Sequence, residues 1–319
     1  MPLGEFDVIA RYFSRVSSRS DVLLGVGDDA ALLLPPAGQA LVAATDTLVE
    51  GRHFLPGTPA AAIGHQALAV NLSDLAAMGA EPAWALLSLS MPGPDEGWLA
   101  EFARGLYELA DTHGVALVGG DTVSGPLVVT IEVLGFVPPA QALRRAGARP
   151  GDLVFVSGSP GVAAAGLDQL RSGQETFESM DPRVRRFLRA EPRLALGRAL
   201  RGVATSAMDV SDGLLGDLGK LARASGVGAR IDLERLPVAP ELLGHAATER
   251  ERYVLHGGDD YELLFTLPPA ASARVSDLAL KGGCGLHCIG EMVAGAGLEC
   301  RRGGQRVEIV GSGYDHFAR

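Results

Sequence analysis

Six short segments set carboxylates beside Gly, Ser or Thr: Gly27-Asp28-Asp29, Thr45-Asp46-Thr47, Asn71-Leu-Ser-Asp74, Gly119-Gly120-Asp121, Asp209-Val-Ser-Asp212-Gly213 and Gly257-Gly258-Asp259-Asp260-Tyr261-Glu262. Each follows or interrupts an apolar run, which puts it near a strand end, where α/β folds open their ligand crevices. One such segment alone reads as a loop or a cap. Asp in a turn bonds its own backbone, and Ser211 or Asp212 has the side chain to N-cap a following helix. Six together weaken that reading. Asp74 lies among Leu68, Ala69, Leu72, Leu75, Ala76 and Ala77, on a helix expected to be largely buried, with no Lys or Arg nearby in sequence. A lone buried carboxylate is costly and calls for a metal or a cation. Hard divalent cations take oxygen ligands, and Mg²⁺ is held by a few carboxylates plus substrate phosphates. Carboxylates facing a polyphosphate without metal would repel it by ~4 kcal/mol per close pair. Clustered aspartates therefore predict a divalent metal, whether or not the ligand is a phosphate.

Several alternatives are missing from the sequence. There is no GxxxxGK[ST] loop, and neither Lys220 nor Lys281 has that context. No protein-kinase HRD or DFG arrangement occurs, and no Ser-His-Asp or Cys-His pairing has a recognisable context. Gly158-Ser-Pro-Gly161 follows an apolar run; it suits a phosphate at a helix N-terminus and equally a tight strand–helix turn. Cys284, His287, Cys288 and Cys300 suggest zinc, but the spacing is unusual and favours ordinary thiols.

The elements that position these turns follow from periodicity. Residues 5–15 read as a helix with Phe6, Ile9, Ala10 and Phe13 on one face. Residues 41–44 read as a strand ending in the turn at Thr45-Asp46-Thr47. A helix over 60–78 stops at Gly79 and Pro82, and strand 84–90 follows. An amphipathic helix over 95–113 closes at Gly114. A short strand over 115–118 runs into Gly119-Gly120-Asp121, and 127–137 alternates as a long strand. The Pro-, Arg- and Gly-rich stretch 138–150 marks a break, dividing the chain into domains 1–138 and 139–319. Beyond it come strand 153–156, a helix after Gly161, a strand before Asp209, a helix after Asp212 and strand 262–266. This mixture is α/β or α+β.

Composition fits a globular protein of 319 residues: 47% hydrophobic and 21% charged, enough for a sizeable core. The net charge of −10 disfavours nucleic acid as a partner, because that affinity comes mostly from cations on phosphates. It also disfavours anionic membranes. Three cysteines do not make a disulfide scaffold. The N-terminus lacks an apolar signal core, and no stretch reaches membrane-spanning length. The expected location is cytoplasmic.

Together the motifs GVGDDAA, TDTLVEGRHF, NLSDLAAMGA, GGDT, RRAGARPGD, DVSDGLLGDLGKLA, GGDDYELLF and GYDHF resemble the thiamine-monophosphate kinase family. It lies in the superfamily of aminoimidazole ribonucleotide synthetase, and the match runs nearly end to end. The resemblance implies transfer of the ATP γ-phosphoryl to thiamine monophosphate. It implies a two-domain fold whose N-terminal domain binds ATP and Mg²⁺ and contributes strands to a dimer barrel, while the C-terminal α/β domain closes the cleft. Carried over residue by residue, it makes Asp29, Thr45, Asp46, Asp74, Asp121, Asp209 and Asp212 metal ligands, with Asp28 beside them. Gly120, Asp121, Arg145 and Ser211 would contact ATP, and His53, Asp259 and Tyr314 thiamine monophosphate. Arg144 is an alternative to Arg145, and His53 read alone is a turn or packing histidine. Two departures stand out: Asp259 replaces the family's usual Glu, and Ala44 replaces a frequent Ser. The acceptor, a phosphate monoester with a second pKa near ~6, needs no general base. The rival expectations are a sister ATP-using enzyme and a non-catalytic nucleotide or metal sensor.

Overall fold

The computed structural model describes residues 3–309. The chain divides into two compact units, one running through Leu75 and then Ala80–Ala140, the other comprising Ala76–Gly79 and the chain from Gln141 onward.

The first unit opens with helix α1 (Glu5–Val8), which continues as a π-helical turn over Ile9–Phe13. Val8 and Phe13 are buried while Phe6 is 82% exposed. The expected face therefore shifts, because π-helical winding aligns i with i+5 rather than i+4. A small hairpin, β1 (Val22–Leu24) with β2 (Leu32–Leu33), precedes a four-stranded sheet. Its order is β3 (Ala40–Val49), β6 (Val128–Val137), β4 (Glu81–Met91) and β5 (Ala116–Ser124). All neighbours are antiparallel except β4 and β5, which are parallel. A parallel pair needs a crossover, and α3 (Glu96–His113) supplies it. Asp95 caps that helix through the Trp98 N–H at 2.8 Å, and Gly114 closes it in the left-handed conformation.

Val129, Ile131, Val133, Ala85, Leu87 and Leu89 are buried, whereas alternate residues Glu132 and Ser88 are exposed. This is the period-two signature of a sheet with one packed face. Helix α2 (Ala60–Ala77) is buried on nearly every side. Two glycines seat it against α3. A Cβ on Gly64 would lie 2.1 Å from the Phe102 carbonyl oxygen, and one on Gly105 would lie 1.9 Å from that of Ala61. Trp84, meeting Phe136 edge-on, donates from Nε1 to Asp21 Oδ1 at 3.1 Å and so ties the segment leading into β1 to the sheet.

The second unit is built on a seven-stranded sheet with order β13 (Gln305–Val307), β12 (Leu298–Arg302), β9 (Gly228–Asp232), β11 (Leu286–Val293), β7 (Leu153–Ser157), β10 (Glu262–Leu267) and β8 (Ser206–Val210). Only β12 and β9 pair in parallel. Its helices are α4 (Val162–Ser172), α5 (Pro182–Leu188), α6 (Leu194–Leu200), α7 (Leu214–Ser225), α8 (Ala247–His256) and α9 (Val275–Gly282). Leu214, Leu218 and Leu221 of α7 join Met208, Val210, Val156, Leu264, Ile231 and Ile289 of the sheet in one buried core. Among the described residues no helix is long and apolar enough to cross a membrane.

Candidate active site

Strand β10 is central to the second unit's site because its two neighbours run opposite to it. Glu262 pairs with Val210 and Leu264 with Val156. The C-terminal ends of β7 and β8 therefore meet the N-terminal end of β10 at one edge of the sheet. Three turns converge there: Gly158–Gly161 after β7, Ser211–Gly213 after β8, and Gly257–Tyr261 before β10.

Main-chain bonds lock the last two together. The Asp259 N–H donates to the Ser211 carbonyl at 3.0 Å, and the Tyr261 N–H to that of Val210 at 2.9 Å. A Cβ on Gly258 would sit 2.5 Å from the Ser211 oxygen, so glycine is required for this approach. Asp259 and Tyr261 take φ values of +63° and +53°, a conformation rare outside glycine. Such backbones persist only where the surroundings over-determine them. The residue between them supplies one such restraint. Asp260 is wholly buried, and its Oδ2 accepts the Gly161 N–H at 2.7 Å, at the start of α4. Its Oδ1 has no partner. Burial pushes this carboxyl up to about 8, against the opposing pull of the Gly161 amide and the Arg186 charge.

The next restraint is Glu262. Its buried carboxylate receives Arg193 through Nε (2.8 Å) and Nη2 (2.6 Å), Arg186 through Nη2 (2.7 Å), and the Ser157 hydroxyl (2.5 Å). Arg186 also donates to the Asp260 carbonyl at 2.8 Å. Burial raises the Glu262 pKa, but the Arg193 bonds and the two guanidinium charges outweigh it and hold it below the ordinary value. Asp259 itself is half-buried, with its Oδ1 accepting the Tyr261 hydroxyl at 3.3 Å. Burial and the nearby Asp212 charge push it up to about 6.

Across the turn, neither Ser211 nor Asp212 caps α7 with its side chain; Gly213 (φ +100°) occupies the cap position. The restraint comes from inside the helix. Asp217, wholly buried, accepts the Ser211 N–H (2.9 Å) and the Asp212 N–H (3.0 Å) on Oδ2. Its Oδ1 takes the Lys220 ammonium at 2.8 Å, and the same ammonium bonds Asp212 Oδ2. Asp209, next to last in β8, is buried at 5% exposure.

The first unit carries the remaining expected residues. Thr45 and Asp46 do not lie in a turn after a strand ending at residue 44, as the sequence suggested. They continue β3, paired with Glu132 and Ile131. Consecutive strand residues face opposite sides, so their side chains diverge. The Thr45 hydroxyl donates to the Ile131 carbonyl at 3.1 Å. Gly119, Gly120 and Asp121 likewise continue strand β5 beyond the expected end at 118. Gly120, at φ +148°, would place a Cβ 1.8 Å from the Leu87 oxygen. Thr47, Thr130, Ser88 and Asp121 form one cross-strand row, with Thr47 and Thr130 hydroxyls 2.8 Å apart. Asp74 is half-buried on α2. Asp29 is exposed, and its N–H donates to Asp28 Oδ1 at 2.8 Å. The His53 Nδ1 accepts the Val49 N–H at 3.0 Å, which puts the neutral ring's proton on Nε2.

In the second unit Arg145 is exposed, and its carbonyl accepts the Ser225 hydroxyl. Tyr314, with the closing GYDHF motif, lies outside the described residues. The three cysteines are free thiols. Among the described residues no three His, Cys, Asp or Glu side chains gather into a metal-sized cluster. The expected ligands are spread over the two units, with Asp29, Thr45, Asp46, Asp74 and Asp121 on the first and Asp209 and Asp212 on the second.

Residues 27–137 match the family described as AIR synthase related protein, N-terminal domain, and residues 149–302 its C-terminal domain. The chain is 49% identical to the thiamine-monophosphate kinase of Escherichia coli strain K12, across 100% of this chain and 99% of that one. It is similar to the crystal structure of thiamine-monophosphate kinase from Stenotrophomonas maltophilia K279a, with a TM-score of 0.88 and 43% identity over 96% of this chain and 99% of that one. A second solved structure, AaThiL complexed with AMPPCP and TMP, aligns with a TM-score of 0.78 and 32% identity over 92% of each chain.

Proposed function

This chain belongs to the AIR synthase related family and, within it, to the thiamine-monophosphate kinases, and we propose that it transfers the terminal phosphoryl of ATP to thiamine monophosphate, releasing thiamine diphosphate and ADP. The observation that carries this reading is the lock between the Ser211–Gly213 and Gly257–Tyr261 turns, which brings Asp212 and Asp259 to one sheet edge in a chain alike end to end to kinases of this acceptor.

Mg²⁺ fits the donor set. Asp29, Thr45, Asp46, Asp74, Asp121, Asp209 and Asp212 offer only hard oxygen, with no thiolate or imidazole among them. Bound between nucleotide and carboxylates, the ion would supply charge neutralisation for two anions that must meet. Mg²⁺ keeps waters and takes few carboxylates alongside phosphates, so no dense protein cage is needed. The Thr45 hydroxyl donates to Ile131, which keeps its oxygen lone pairs available to a cation. Gly120, Asp121, Arg145 and Ser211 hold ATP, and His53, Asp259 and Tyr314 hold the acceptor.

The acceptor phosphate is mostly dianionic at neutral pH, so no side chain has to remove a proton. The protein's task is positioning and charge, with transfer direct from ATP to acceptor. Leu23, Leu24, Leu32, Leu34, Leu41 and Val123 expose apolar surface on the first unit, which supports a homodimer with that unit's strands in a shared barrel. The acidic net charge of −10 supports an enzyme with neither nucleic-acid nor anionic-membrane partners, and its proposed location is the cytoplasm. Incubation with ATP, Mg²⁺ and thiamine monophosphate should yield thiamine diphosphate. ATP turnover on another acceptor, or none at all, would refute the assignment, and a trapped phospho-aspartate would refute direct transfer.

A further inference from the structure

The Lys220 ammonium sits between two carboxylates, Asp217 Oδ1 at 2.8 Å and Asp212 Oδ2 in shorter contact. Its two partners differ in kind. Asp217 is wholly buried and already holds the Ser211 and Asp212 amides, so it fixes the turn and needs a permanent counter-charge. Asp212 is half-buried, at the turn itself. The chain holds 28 Lys and Arg, of which only Lys220 and Lys281 are lysines. Arg is its usual cation, yet here stands a compact three-donor ammonium, a point charge rather than a planar fork.

We propose that Lys220 is a tethered cation which occupies the metal-facing carboxylate of Asp212 and must let go of it when a divalent ion binds, so that Lys220 sets the affinity of this site for metal. The inference rests on the reading of Asp212 as a metal ligand. The exchange is internal: the ammonium keeps Asp217, which stays neutralised and continues to hold the two amides, while Asp212 turns from one cation to the other. Lys220 is thus a positioning residue for the empty site and a competitor for the filled one.

Two measurements on the full-length protein without nucleotide test this, with Mn²⁺ as probe. The chain's two lysines make labelling simple. Acetic anhydride labelling of the wild type, read by mass spectrometry, should increase at Lys220 when Mn²⁺ is added. Lys281, paired with Asp277 on α9, serves as the internal reference and should not change. Unchanged or reduced Lys220 labelling overturns the proposal and requires no variant to fold. Second, Lys220→Gln should tighten Mn²⁺ binding, measured from the electron paramagnetic resonance signal of the free ion, by about tenfold. That is the repulsion of a divalent ion by an ammonium ~5 Å away even at water's dielectric. Asp212→Asn should weaken it. If Asp212→Asn weakens binding while Lys220→Gln leaves it unchanged, the tethered-cation role is wrong and the metal reading stands. If Asp212→Asn has no effect, the metal reading of Asp212 fails, and this inference with it.

Discussion

Replacing Asp260 by Asn tests whether the buried carboxyl anchoring the Gly257–Tyr261 turn is held protonated. Asn keeps the acceptor that takes the Gly161 N–H, and its amide nitrogen falls where Oδ1 already lacks a partner. The shape is therefore conserved and the titration removed. In the folded protein burial pushes Asp260 up to about 8, against about 3.9 in an unfolded chain. A carboxyl whose folded pKa is raised binds its proton more tightly in the native state. The resulting stability is fully present below the unfolded pKa and is lost as pH rises toward the folded one. The slope is about 1.4 kcal/mol per pH unit between those limits. From pH 5.5 to 7.5 the wild type should therefore lose about 2.5 kcal/mol relative to Asp260→Asn. Titrating groups far from Asp260 cancel in the difference. Trp84 and Trp98 both lie in the first unit, so their fluorescence would miss the event. Pulse proteolysis in urea, with fragments assigned to the second unit, reads it instead. Curves that stay parallel for the two proteins across this range would refute the argument.

Three further outcomes follow from the same contacts. Glu262→Gln leaves Arg186 and Arg193 facing a neutral amide and should destabilise the second unit by about 3–5 kcal/mol; a loss under about 1 kcal/mol, by the same proteolysis assay, would show that the arginines find other partners. Gly105→Ala drives a methyl into the Ala61 carbonyl and should cost about 1–3 kcal/mol, seen as a lowered first-unit melting temperature by tryptophan fluorescence. Asp259→Glu restores the methylene that the family usually has, so KM for thiamine monophosphate should fall several-fold while KM for ATP stays fixed; an unchanged acceptor KM would mean that the shorter side chain already reaches.

The apolar runs made most of the framework legible. The helix over 95–113 and the strand over 127–137 follow from their periodicity, the helix over 60–78 from its alanine-rich run stopped at Gly79, and the strand over 84–90 from its apolar run. The strand ends were harder to read. Thr45-Asp46-Thr47 and Gly119-Gly120-Asp121 have turn composition yet lie inside β3 and β5. Both are edge strands of the sheet, where weak strand formers are tolerated because only one side is paired. The π-helical turn near the N-terminus escaped a reading built on a period of 3.6. In the candidate site, the turns were visible as motifs, but their restraints were not. Asp217 and Lys220 stand five and eight residues past Asp212, and nothing local marks them except the rarity of lysine. Arg186 and Arg193 reach Glu262 from about 70 residues away, a separation no local pattern encodes.

The glycine seam between α2 and α3 bears on how this protein tolerates change. Because Gly64 and Gly105 bring main chain against main chain, the axial position of α2, and with it Asp74, is set by atoms that every amino acid shares. Side-chain drift in the surrounding core, such as an exchange of Leu68 or Leu72 for Met, can lower stability without sliding the helix. Volume-conserving exchanges in that interior therefore leave the carboxylate in place. At Gly64 and Gly105 themselves no side chain fits.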